Sequence, residues 1–137
     1  LPSRSSMAPP PEDDKGIPNE TKLWRRIPPG SVVDDDSVPS GRRPSSANFN
    51  WPELSAVIAS ECPIETLLKD HETYGVACFT VAEIRAFGWG VIRVPDPELP
   101  GHVHITGHRG KKNQNSKKRG DIAKSCRMIR DPAPLGP

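Results

Sequence analysis

Proline sets the first limit on this chain. Of its 17 prolines, 10 lie before residue 53. Each removes a backbone donor and disfavours helical geometry in the residue before it. Pro28, Pro29 and Gly30 close off KLWRRI, Pro52 and Pro63 bracket LSAVIASEC, and PDPELPG, ending at Gly101, excludes a helix. Short elements between breaks are what such a chain can form. Apolar residues make up 34 % of the chain, below the roughly 45–50 % of globular domains. The deficit is concentrated in residues 1–21, which carry Pro9, Pro10, Pro11 and the acids Glu12, Asp13 and Asp14. A segment of that kind buries too little to offset its ordering entropy. The expectation is a flexible proline-rich tail over 1–21, one domain over 22–131, and a short tail over 132–137.

Within the domain, KLWRRI alternates as a strand does, with Leu23, and Trp24 beside it, against the core. SVV leads into Asp34, Asp35 and Asp36, and PSGRRPSS reads as a loop rich in turn formers. An extended NFNW makes Phe49 and Trp51 anchors. LSAVIASEC is expected as a buried strand. Pro63 suits the first turn of a helix that sets Ile64, Leu67, Leu68 and His71 on one face. GVACF predicts another buried strand. Thr80-Val-Ala-Glu83 fits a capping box, followed by a short helix striped by Val81, Ile84 and Phe87 and stopped at Gly88. GVIRV and HVHIT predict two more strands. Ile122, Cys126 and Ile129, at i, i+4 and i+7, predict a final amphipathic helix with Lys124 and Arg127 outside and Pro132 at its end. These elements make an α+β fold, a small mixed sheet with about three short helices.

No apolar run approaches the roughly 18 residues of a membrane span, and no signal-peptide centre is present. No membrane partner is expected. Cys62, Cys78 and Cys126 are odd in number and widely spaced. They read as reduced, buried hydrophobes, with a cytoplasmic location as the default. Cys62 also precedes a helix start, where a thiol pKa can fall. The net charge of +2 is unevenly distributed: residues 1–106 hold 10 basic and 15 acidic side chains. Residues 107–130 hold one acid, Asp121, and nine bases, Arg109, Lys111, Lys112, Lys117, Lys118, Arg119, Lys124, Arg127 and Arg130. The leading expectation is a small non-enzymatic binding or accessory protein whose basic segment contacts nucleic acid or an acidic protein surface. A solvated basic helix face explains the same pattern. An accessory subunit whose proline-rich head threads onto a larger complex is a further reading. P-loop, GxGxxG and GxSxG motifs are missing, and no cofactor is expected.

HVHITGH sets His102, His104 and His108 within seven positions. His102 and His104 share one side of a strand. Neither CxxC nor HExxH accompanies them, so no metal site is expected. His71-Glu-Thr73 and His104-Ile-Thr106 resemble the His-x-Thr pair of the two-histidine phosphoesterases. That resemblance implies one imidazole as base, the other as acid, and hydroxyls on a phosphate. Gly107-His-Arg-Gly110 resembles the GxxG loop of KH domains, which clamps a nucleic-acid backbone. Arg42-Arg43-Pro44-Ser45-Ser46, with Arg25 and Arg26 upstream, is similar to the core of ADP-ribosyltransferase-like and RES-type toxins. That likeness implies an NAD-using enzyme in which Arg25 or Arg26, Ser45 and Ser46 hold the cofactor, with Glu61 or Glu98 completing the site. The R-P-S-S-x-x-F string, Arg43 to Phe49, also resembles a feature of short uncharacterised bacterial proteins and implies no activity. The competing reading of Ser45 and Ser46 is a polar loop that satisfies a turn. The catalytic candidates are therefore His71, His102, His104, Arg25, Ser45 and Ser46.

Overall fold

The alternation in KLWRRI becomes β1 (Lys22–Ile27), which buries Leu23 and Ile27 completely on one side. Residues 12–49, 54–107 and 112–134 are described in the computed structural model, with backbone alone over 112–116. β1 pairs antiparallel with β4 (Ser55–Ile58) and with β5 (Gly75–Thr80). Outward from β4 come β7 (His102–Thr106) and β6 (Gly90–Arg93); outward from β5 comes β8 (Arg127–Arg130). The result is a six-stranded antiparallel sheet ordered β6-β7-β4-β1-β5-β8. A second, two-stranded sheet joins β2 (Val32–Asp34) to β3 (Arg42–Pro44). With three α-helices, the fold is α+β.

The register decides which residues share a face. Leu23 is opposite Phe79 and Ile58, and Ala56 is opposite Val103. Because side chains alternate along each strand, Leu23, Ile27, Ala56, Ile58, Phe79, Val103 and Ile105 lie together. They form the main core with Phe49, Ile84, Ile122 and Ala123. Those partners come from three covering elements: a 3-10 helix (Ser46–Phe49), α2 (Val81–Ala86) and α3 (Lys112–Ser125). The opposite face carries Val57 and Val76 and is covered by Leu67 and Leu68 at α1 (Ile64–Leu67). That helix has 4 residues, so it covers only part of the sheet.

Local signals are obeyed where they are local. Thr80 Oγ1 accepts from Glu83 N at 3.2 Å while Glu83 Oε1 accepts from Thr80 N at 2.8 Å. This reciprocal pair starts α2. Gly88, at φ 82°, carries the chain out of it.

Three expectations change. The helix sought across Ile122, Cys126 and Ile129 ends at Ser125, and Arg127–Arg130 is a strand. RMIR fits a strand as well as a helix, and the open edge of β5 offers hydrogen-bond partners that a helix cannot use. Ile129 is consequently 47 % exposed, while Met128 packs on the core. Second, part of PSGRRPSS is β3 rather than loop. Arg43 Nε meets Asp35 Oδ2 at 2.7 Å across that small hairpin, and Arg42 pairs with Asp131. Third, residues 12–21 are part of the packed unit, ahead of Lys22. Ile17 is 2 % exposed in the main core. Asp13 receives Val91 N at 3.0 Å and Arg85 Nε at 2.9 Å. Asp14 N donates to Val91 O at 2.8 Å, so this segment occupies the free edge of β6. A Cβ on Gly90 would strike the Glu12 carbonyl; glycine is required for that approach. Residues 1–11 and Trp51 lie outside the described residues.

Candidate anion-binding pocket

The β1–β4 ladder consists of Leu23–Ile58 and Trp24–Val57. Just past it, Arg25 reaches out from β1: Nε donates to Asn48 O on the 3-10 helix at 2.9 Å, and Nη1 donates to Ser55 O on β4 at 2.5 Å. Arg26, on the other side of β1, donates through Nη1 to Leu67 O at 3.3 Å and approaches His71 Nδ1 at 3.1 Å. Both arginines line one cavity of about 420 Å³. Its other polar walls are Asn48, Ser55, His71 and His102, and its apolar walls include Trp24, Val57, Leu67, Tyr74 and Leu99. Among the described residues, no Asp or Glu belongs to that lining.

The missing counter-charge has an electrostatic cost. Burial, followed by the like charge of Arg26, pushes the Arg25 pKa down to about 10. A guanidinium keeps its proton in proteins, so the lowered value expresses an uncompensated cation. Four other described arginines find acids: Arg42 with Asp131, Arg43 with Asp35, Arg85 with Asp13 and Arg93 with Glu61. Arg25 and Arg26 have carbonyls and an imidazole instead.

The histidines are positioned by backbone. His102 Nδ1 lies 2.7 Å from Val94 O, which requires an N–H there and leaves Nε2 as the lone-pair nitrogen of the neutral ring. His71 Nδ1 lies 3.0 Å from Lys69 O and 3.1 Å from Arg26 Nη1. The carbonyl needs a proton on that nitrogen and the guanidinium needs a lone pair, so the two contacts compete. The His71 ring also meets Tyr74 edge-on at 4.9 Å between centroids.

Among the sequence candidates, the structure therefore brings together Arg25, His71 and His102. His104 shares the sheet face with His102, their rings 5.1 Å apart and nearly perpendicular, but it is not in the cavity lining. The hydroxyls of the two His-x-Thr triplets lead elsewhere: Thr106 Oγ1 donates to Glu12 O, and Thr73 is exposed. Ser45 Oγ accepts from Ala47 N at 3.3 Å at the start of the 3-10 helix. Ser46 follows it there; neither serine lines the cavity, whereas Ala47 and Asn48 do. Glu61 is held by Arg93 through two contacts of 2.9 and 2.8 Å, and Glu98 borders an adjoining groove. Among the described residues, no acid lines the cavity beside Arg25.

The cysteines are buried and free. Desolvation raises the Cys62 thiol pKa, opposite to the effect expected of a helix start. Among the described residues, no group of three or more His, Cys, Asp or Glu side chains can hold a metal ion, and no helix is long and apolar enough to cross a membrane.

The basic segment divides. Arg109, Lys111, His108 and the centre of the GxxG string lie outside the described residues, and Lys112 opens α3. Lys117 is exposed and pairs with Asp121 at 2.9 Å, Lys118 is half-buried, and Lys124 and Arg127 are exposed. Arg119 turns inward, 8 % exposed, its Nε without a hydrogen-bond partner among the described residues.

Asn48, Ser55 and Tyr74 were not singled out in the sequence. Asn48 follows the paired serines and so had a weak signal; Ser55, inside an apolar run, had none. Comparison with protein-family models, with curated proteins and with solved structures gave no match for the chain.

Proposed function

We propose that the protein binds a ligand through an anionic, phosphate-type group in the cavity between β1, β4 and α1. One observation carries this reading: two arginines and two histidines line a single cavity whose described lining residues include no carboxylate. A bound phosphate supplies the counter-charge that Arg25 and Arg26 lack. Guanidinium groups suit it because they present paired donors to two oxygens at once. Arg25 is already held by two carbonyls, so little freedom is lost when the anion arrives. Calorimetry with inorganic phosphate and pyrophosphate at low salt tests the reading. Saturable binding is expected, weakened about tenfold or more by Arg26→Met. Absence of saturable binding, or an Arg26→Met protein that binds as the parent does, overturns it.

A second reading rests on the exposed Lys117, Lys124 and Arg127. These offer phosphate contacts to nucleic acid, or to an acidic protein, on a surface separate from the cavity lining. Binding of this kind weakens steeply with salt. A salt-independent response, or no binding at low salt, removes it.

A further inference from the structure

The cavity is divided in a way that phosphate binding alone does not use. One side carries Arg25 and Arg26 with His71 and His102; the other side is aromatic and aliphatic, with Trp24 and Tyr74 both half-buried. Trp24 packs against the apolar cluster of Val57, Cys62, Leu67, Leu68 and Val76, and Tyr74 packs edge-on against His71. A fixed aromatic wall beside a cationic one suits a flat ring joined to a phosphate, since rings stack on tryptophan and tyrosine without needing hydrogen bonds. The volume, about 420 Å³, lies in the range of small-ligand pockets.

The neighbouring surface restricts what else can enter. A groove of about 1020 Å³ shares Arg26, His71 and Leu99 with the cavity. Five carboxylates, Glu65, Asp70, Glu72, Asp96 and Glu98, line it alongside Lys69 and Arg130. A polyanion extending from the cavity into this groove would carry its next phosphates past those acids. A ligand with its phosphate at one end avoids them.

Resting on the phosphate reading above, we propose that the ligand is a heteroaromatic phosphate ester of mononucleotide size, and that the site discriminates against nucleic-acid chains. The ring lies against Trp24 and Tyr74 and the phosphate against Arg25 and Arg26.

Calorimetry on the full chain with inorganic phosphate, ribose 5-phosphate and adenosine 5′-monophosphate tests this, together with competition by a 12-nucleotide single strand. The monophosphate is expected to bind about tenfold tighter than ribose 5-phosphate. Trp24→Leu should abolish that advantage, while Trp24→Phe, which keeps a ring, should retain most of it. The oligonucleotide should not displace the monophosphate. If phosphate and ribose 5-phosphate bind but the nucleotide is no tighter, the ligand class is wrong and the phosphate reading stands. If the oligonucleotide displaces the nucleotide, the exclusion of chains is wrong. If none of the three binds, the phosphate reading fails and takes this proposal with it.

Discussion

The two faces of the central sheet are built from the same strands yet end in different states. One is covered by α2, α3, the 3-10 helix and the segment from residue 12 onward, and its core is apolar, with Arg25 between Leu23 and Ile27 reaching the backbone of the 3-10 helix. The other is covered by four-residue α1 and leaves Trp24, Arg26, His102 and His104 only half-buried. Strand alternation alone supplies two kinds of surface; the length of the covering element decides which becomes core. Polar side chains persist on the second face because water still reaches them and little desolvation is required.

Substitutions can break or sharpen that contrast. The largest effect belongs to the closed face. Phe49 is fully buried, with its ring 6.0 Å from that of Phe79, so Phe49→Ala should cost about 3–5 kcal/mol in urea unfolding. His102→Ala, on the open face, should remain within about 1 kcal/mol. Similar losses at the two positions would show that the faces do not differ in the way described.

Asp13 tests whether the segment over the β6 edge belongs to the closed side. Asp13→Ala leaves Val91 N and Arg85 without their shared acceptor and should cost about 1–3 kcal/mol. Burial raises the Asp13 pKa, but hydrogen bonds from Val91 N, Arg85 and Lys15 more than offset this, and the net shift is downward. A carboxylate with a lowered folded pKa contributes stability above its unfolded value, about 3.9, and that contribution is lost as pH falls through the folded value. Acid unfolding of the parent should therefore show a component that Asp13→Ala lacks. Coincident acid limbs would dissociate the segment from the fold's stability.

The smallest expected effect is at the cap of α2, which covers the closed face. Thr80→Ala should cost about 1 kcal/mol, while Thr80→Ser, which keeps an acceptor oxygen, should recover most of it. Equal losses for both variants would assign the cost to the methyl group.

The differing legibility of these features follows from range. Thr80 and Glu83 are three residues apart and interact within one turn, so the capping box was evident from the sequence. HVHIT shows its period of two within five residues. RMIR carried no such decision, because apolar residues near Cys126 satisfied both periods until β5 offered an unpaired edge. Ile17 is one apolar residue among prolines and acids and has no period at all; only the complementary gap in the main core gives it a place.

The pocket illustrates the same division. Local sequence determined that β1 carries adjacent arginines, which alternation turns to opposite sides, and that His102 and His104 share a side. Tertiary structure decided that Arg25 would be held by carbonyls from Asn48 and Ser55, that His71 and not His104 would join His102 at the cavity, and that Arg119 would be withdrawn from the basic surface. Those outcomes depend on antiparallel register between strands far apart in the chain, and register is set by the burial of an entire face rather than by any short motif.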